Sequence, residues 1–138
     1  MTTPPSLSPL FDDDDLIFRY TRAEALADGA LVDVTPTAQE AGFKFPVAIT
    51  AALHHRLTPN AYEQAVGQSF EGRLWDVLWM ASVRARRLNG SEAQYTVLIA
   101  DQVEDHKTMA QHTLNLYMNI GPGDAGEPVI TIGFPADF

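Results

Sequence analysis

The feature that most constrains this chain is a change of period near residue 94. Before that point apolar residues recur at helical spacing, and after it they recur at the spacing of extended strands. From Phe70 to Leu88 the residues Leu74, Leu78, Ala81, Ala85 and Leu88 fall on one face of a helix. Trp75 and Trp79, four apart, widen that face. Ser69 stands where an N-cap belongs, and Asn89-Gly90 stops the pattern. Beyond it, Tyr95–Ala100 (YTVLIA) is rich in strand formers. In 113–120 (TLNLYMNI) Leu114, Leu116, Met118 and Ile120 alternate with polar residues and Tyr117. Residues 128–134 (PVITIGF) form a third such run, reached through the loop from Gly121 to Gly126. Three strands in succession behind a helical half predict an α+β fold. Its long helix is expected to lie on a C-terminal three-stranded antiparallel sheet, burying Leu74, Leu78, Leu98, Leu114, Leu116, Ile130 and Ile132.

The first half reads as short helices. Thr21 with Glu24 three residues on is a capping-box pattern, and Gly29 ends the helix it opens. Leu31–Val34 is a short strand. Thr35-Pro36 opens a second helix that stops at Gly42, since proline suits a first helical turn. Pro46 is read as opening a third, PVAITAALHHRL, with Val47, Ile49, Leu53 and Leu57 only partly in phase. A further helical piece covers Ala61–Val66 and ends at Gly67. Residues 1–15 read as a flexible acidic tail and 16–138 as one α+β domain. Pro4, Pro5 and Pro9 sit among serines and threonines in the tail, and Asp12–Asp15 are four like charges in a row. Leu16, Ile17, Phe18 and Tyr20 follow and are suited to anchoring it.

Charge and cysteine content narrow the function classes. Eighteen acids against nine lysines and arginines give a net charge of −9. Broad nucleic-acid contact needs clustered cations, so direct nucleic-acid binding is not expected. The imbalance is uneven. Between 69 and 88, Glu71 and Asp76 stand against Arg73, Arg84, Arg86 and Arg87, a local +2, which leaves −11 on the rest. Arginines near a helix C-terminus complement its dipole, which accounts for that cluster structurally. The acidic excess elsewhere fits either plain solubility or attraction to a basic partner. Without cysteine there is no disulfide and no thiolate metal site, and a reducing compartment is expected. No run approaches the ~18 apolar residues of a membrane span, and the N-terminus lacks the pattern of a signal peptide. A cytoplasmic, bacterial setting is the resulting expectation.

Candidates for chemistry are sparse. His54 and His55 are adjacent, which on a helix turns them about 100° apart, while His106 and His112 match neither common zinc spacing. No metal and no cofactor are expected. The 121–126 loop lacks the Gly-Lys-Ser/Thr ending of a phosphate loop and sits between strands, so it reads as a hairpin connection. There is no nucleophile elbow. Asp33, Glu40, Asp76 and Glu127 could pair for acid–base work. Trp75, Trp79 and Met80 could form a binding face, although the centre of packing is the simpler place for them.

Three blocks carry a resemblance: 20–50 (YTRAEALADGALVDVTPTAQEAGFKFPVAIT), 72–80 (GRLWDVLWM) and 121–132 (GPGDAGEPVITI). In order and across most of the chain they resemble a family of small proteins of unknown function carried on plasmids, integrative elements and phages. The resemblance supplies no catalytic residues. It implies a mobile-element setting, where small acidic proteins often inhibit host defence, as anti-CRISPR and antirestriction proteins do. The leading expectation is therefore a non-enzymatic acidic protein that occupies a nucleic-acid-binding surface of a CRISPR effector or restriction enzyme. Asp12, Asp13, Asp14, Asp15, Asp101, Glu104 and Asp105 are its expected partner-binding residues. The alternative is a small enzyme or ligand-binding accessory protein of a mobile element, using Asp33 or Asp76.

Overall fold

The structure, a computed structural model, describes residues 20–103 and 107–138. The expectations placed on 1–15, Glu104 and Asp105 lie outside these residues. In chain order the elements are α1 (Arg22–Asp28), β1 (Leu31–Asp33), α2 (Thr35–Glu40), β2 (Val47–Thr50), α3 (Ala51–Leu57), α4 (Ala61–Ala65), α5 (Phe70–Ala85), β3 (Glu92–Gln102), β4 (Met109–Pro122) and β5 (Pro128–Gly133). A 3-10 turn, Pro135–Asp137, follows. The fold is α+β, as expected.

The sheet is larger than expected and mixed. It has five strands in the order β1-β2-β5-β4-β3. The three late strands do form an antiparallel meander, with Leu116 opposite Tyr95 and Met118 opposite Ile132. The difference lies at β2, which pairs antiparallel with β1 and parallel with β5. The sequence reading placed Val47–Thr50 at the start of a helix, and the structure corrects this. Thr50 is extended (φ −70°, ψ 156°), and its hydroxyl accepts from the Leu53 amide, so the helix begins only at Ala51. The four residues before it are all buried. A strand sheathed on both faces reads as a continuous apolar run, which periodicity cannot tell from a buried helical turn.

α5 crosses the face of the sheet formed by Val47, Ile49, Val97, Ile99, Leu114, Leu116, Ile130 and Ile132, and its Leu74, Val77, Leu78 and Ala81 complete the core. Six of the seven residues expected to be buried are so. The exception is Leu98, at 55% exposure. Strand side chains alternate, and in β3 the inward set is Ala93, Tyr95, Val97, Ile99 and Asp101. Leu98 therefore points away from α5. Tyr95 anchors this phase by donating its hydroxyl to the Val77 carbonyl at 3.1 Å. Trp75 is half-buried against the core, whereas Trp79 stacks beside it at 6.0 Å and is 43% exposed.

The β4–β5 hairpin places α1. Gly126 takes the left-handed backbone its turn requires (φ 84°). At the tip, Asp124 accepts from the backbone amides of Arg22 and Ala23, both at 2.9 Å. A loop near the end of the chain thus holds the first turn of the first described helix.

Candidate functional site

Asp101, the expected partner-binding residue that falls within the described region, is not displayed to solvent. It closes the inward stripe of β3, and its side chain is 10% exposed. Arg56 of α3 grips it with two bonds, Nη1 to Oδ1 at 2.8 Å and Nη2 to Oδ2 at 2.5 Å. Arg73 of α5 reaches Oδ1 at 3.3 Å, and His112 Nδ1 of β4 lies 2.9 Å from Oδ2. Arg73 also lies 3.4 Å from Glu63 Oε1 and donates to the carbonyls of Ala100 and Leu57 and to Gln68 Oε1. Glu63 accepts in addition from the amides of Asn60 and Gln102. Two guanidinium and two carboxylate groups thus balance in charge, each held by several hydrogen bonds or ion pairs. That arrangement locks α3, α4, α5 and β3 together, and it withdraws Asp101 from the residues available to a partner.

Burial alone would raise the Asp101 carboxyl. The bonds from Arg56 and His112 and the charges of Arg56 and Arg73 outweigh it and hold the group below the ordinary carboxylate range. Burial also works on Glu63, and there the Gln102 and Asn60 amides and Arg73 outweigh both it and the repulsion from Asp101. Both folded-state pKa values are depressed. Their stabilising contribution is therefore complete above the unfolded values of about 4 and is lost as pH falls through the folded ones. Urea unfolding midpoints should stay level from neutral pH down to about 5 and then fall steeply below about 4. With Asp101→Asn and Glu63→Gln together, that acid limb should flatten.

A cavity of about 760 Å³ lies at the other end of the sheet. Ala25, Ala30, Ala51 and Ala52 leave it wide, and Tyr20, Arg22, Asp124 and Asp137 bring polar groups into its wall. Arg22 is tied down, donating to Thr131 Oγ1 at 2.6 Å and to the Ile130 carbonyl at 2.9 Å. Burial lowers the Arg22 pKa, while the charges of Asp33, Asp124 and Glu127 raise it. Asp137 accepts from Thr50 Oγ1 at 2.7 Å on the cavity wall. The Tyr20 hydroxyl donates to Asp28, and that bond pushes its pKa up to about 12. Glu24 and Asp28 stand on exposed turns of α1. Asp124 and Asp137 thus line the cavity, Asp33 and Glu127 act with Asp124 on Arg22, the cation in its wall, and Glu24 and Asp28 act on Tyr20, so six carboxylates stand in or beside this site.

The sequence reading did not single out this gathering. Its members are spread over more than a hundred positions, and only the β1-β2-β5 pairing and the docked hairpin bring them together. Of the acid–base candidates, Asp33 and Glu127 belong to it. Asp33 accepts from the Thr35 hydroxyl and Glu127 from the Ala125 amide. Glu40 is exposed at the end of α2. Asp76, with its carboxyl raised by partial burial, lines a separate groove on α5. Among the described residues no three of His, Cys, Asp and Glu converge as metal ligands. His54 packs on Phe70 at 4.8 Å between ring centroids. No described helix is long and apolar enough to cross a membrane.

No curated protein and no solved structure matches the chain. A family model matches residues 7–138, nearly the whole sequence, and by that match the protein belongs to the family of unknown function DUF6573.

Proposed function

We propose that this protein works by binding, and that its acidic end takes hold of a basic surface on a host defence complex. The observation that carries this reading is a cavity with Asp124 and Asp137 in its wall, flanked by Asp33 and Glu127 near its Arg22 and by Glu24 and Asp28 near its Tyr20. A cavity of about 760 Å³ has room for a lysine or arginine side chain from a partner. The surrounding carboxylates would steer and orient it, which raises association rate more than contact area does. Asp12–Asp15, Glu104 and Asp105 belong to the same proposal as further negative charge, whereas Asp101 no longer does.

The class of partner follows from the chemistry of the surface sought. An RNA-guided nuclease holds its heteroduplex in a positively charged channel, and a restriction enzyme must likewise present cations to phosphates. An acidic protein seated there excludes nucleic acid without any chemical step. The mobile-element setting implied by the sequence resemblance agrees with such a target.

The test is capture of partners from a bacterial host lysate at low and high salt, by the wild-type chain and by a double variant, Asp33→Asn with Glu127→Gln. Both replacements keep the carbonyl oxygen that accepts the local hydrogen bond, so the melting temperature should not move. Capture should fall about tenfold in the variant at low salt, with the difference shrinking as salt rises. Capture that is indifferent to both salt and neutralisation would sink the proposal.

A further inference from the structure

We propose that a second copy of this chain pairs with the open stretch of β3 at Thr96–Leu98, joining the two sheets edge to edge across a two-fold axis at Val97. Among the described residues β3 is one of the two edge strands of the sheet, β1 being the other. The ladder to β4 is bracketed by the Ile120 amide donating to the Ser91 carbonyl and the Val103 amide donating to the Thr108 carbonyl. Both bonds fall at odd positions of the β3 segment. In an antiparallel pair hydrogen-bonded positions alternate, so the even positions of β3 turn their amides and carbonyls outward.

Those outward groups are managed at the two ends of the strand. The Gln94 carbonyl accepts from Arg84 Nε at 3.3 Å, the Ala100 carbonyl from Arg73 Nη2 at 2.5 Å, and the Gln102 amide donates to Glu63 Oε2 at 2.7 Å. Thr96 and Leu98 lie between these points. Proteins usually blunt an open edge with charge, proline or a bulge. Thr96–Leu98 itself has none of them, and it is bordered by a groove that is mostly apolar, with Asp76 at one side. Asp76, Trp79, Met80, Thr96, Val97 and Leu98 line a groove of about 400 Å³. Trp79, Met80 and Leu98 are 43%, 40% and 55% exposed.

A second copy fits because the surface is self-complementary. About a two-fold at Val97, Thr96 falls opposite Leu98 of the second copy, and the outward amides and carbonyls of both can exchange four bonds. α5 runs antiparallel to β3, as the Arg73–Ala100 and Arg84–Gln94 contacts show. Trp79 and Met80 therefore sit level with the axis, where they would meet their own counterparts. The exposed charge is also polarised along the helix, with Glu71 and Asp76 toward its start, where Arg73 is buried, and Arg84, Arg86 and Arg87 at and just past its end. The same two-fold sets two copies of α5 antiparallel, so each acidic half faces a basic half.

Sedimentation of the full chain over a dilution series, with residue-resolved amide exchange, tests this. A species of twice the 15.1 kDa chain mass is expected at high concentration. In it the Thr96 and Leu98 amides should be protected, becoming fast on dilution, while the Val97 amide stays protected throughout. Leu98→Lys places a charge on the exposed side of the edge and should return the chain to monomer mass with an unchanged circular dichroism spectrum. A chain that stays monomeric at its highest soluble concentration overturns the proposal, whether or not a host protein binds the edge. So does a dimer whose Thr96 and Leu98 amides exchange freely. The exchange readout uses the wild-type chain and stands even if the variant folds poorly.

Discussion

Replacing Arg73 by alanine is expected to lower unfolding free energy by about 3–5 kcal/mol, measured by urea denaturation at neutral pH. The loss has two parts. The side chain is 3% exposed and bonds the carbonyls of Leu57 and Ala100 and the amide oxygen of Gln68, all of which would lose a partner. It also leaves Glu63 and Asp101 close together with Arg56 as the remaining guanidinium beside Asp101. Lysine should rescue little, because a single ammonium cannot reproduce the fork of donors that ties α5 to α3, α4 and β3 at once. A loss under about 1 kcal/mol would mean that the network is ornamental to the fold.

Truncating Leu78 to alanine should cost about 2–5 kcal/mol, since the side chain is fully enclosed between α5 and the sheet and its removal leaves a cavity. Leu98→Ala should change the stability of the isolated chain by less than about 0.5 kcal/mol. The contrast separates two leucines that the sequence places in the same core. Chemical denaturation of both variants at a concentration where the chain is monomeric is the check. Equal costs would mean that the phase of β3 is wrong.

That contrast also shows where sequence reasoning stops. The run YTVLIA states that a strand is present, but a continuous apolar run carries no phase. The phase becomes visible only when the stripe is followed outward, from Ala93 through Tyr95, Val97 and Ile99 to Asp101. Followed that way, Asp101 is an inward residue needing a cation, and Arg73, beside Leu74 on the buried side of α5, is the helix residue placed to supply it. Asn60 with Glu63 repeats the capping-box pattern of Thr21 with Glu24, and the structure forms both boxes. The first was legible. The second has the same spacing and was equally legible; what the spacing does not show is that Glu63 also serves the ion network.

The sheet was half legible for a related reason. Strands that follow one another in sequence announce themselves by alternation, and β3, β4 and β5 do so. The parallel pairing of β2 with β5 joins residues some eighty positions apart, and nothing local specifies it. The acidic end suffers the same limit. Asp33 and Glu127 stand out in sequence only as isolated acid–base candidates and Asp124 not at all, and only that long-range pairing sets them around Arg22. The run Asp12–Asp15, being contiguous, is legible without any fold, and it lies outside the described residues.

The claim that the acidic end displaces nucleic acid from a cationic surface is tested most directly by competition. Labelled duplex DNA is bound to the captured defence complex, or to a purified RNA-guided nuclease or restriction endonuclease, and its anisotropy is followed as this protein is added. The account predicts that the duplex is released as the protein binds, with one protein replacing one duplex, and that the Asp33→Asn, Glu127→Gln variant needs about tenfold more protein for the same release. A ternary complex in which the duplex stays bound while this protein binds would contradict it.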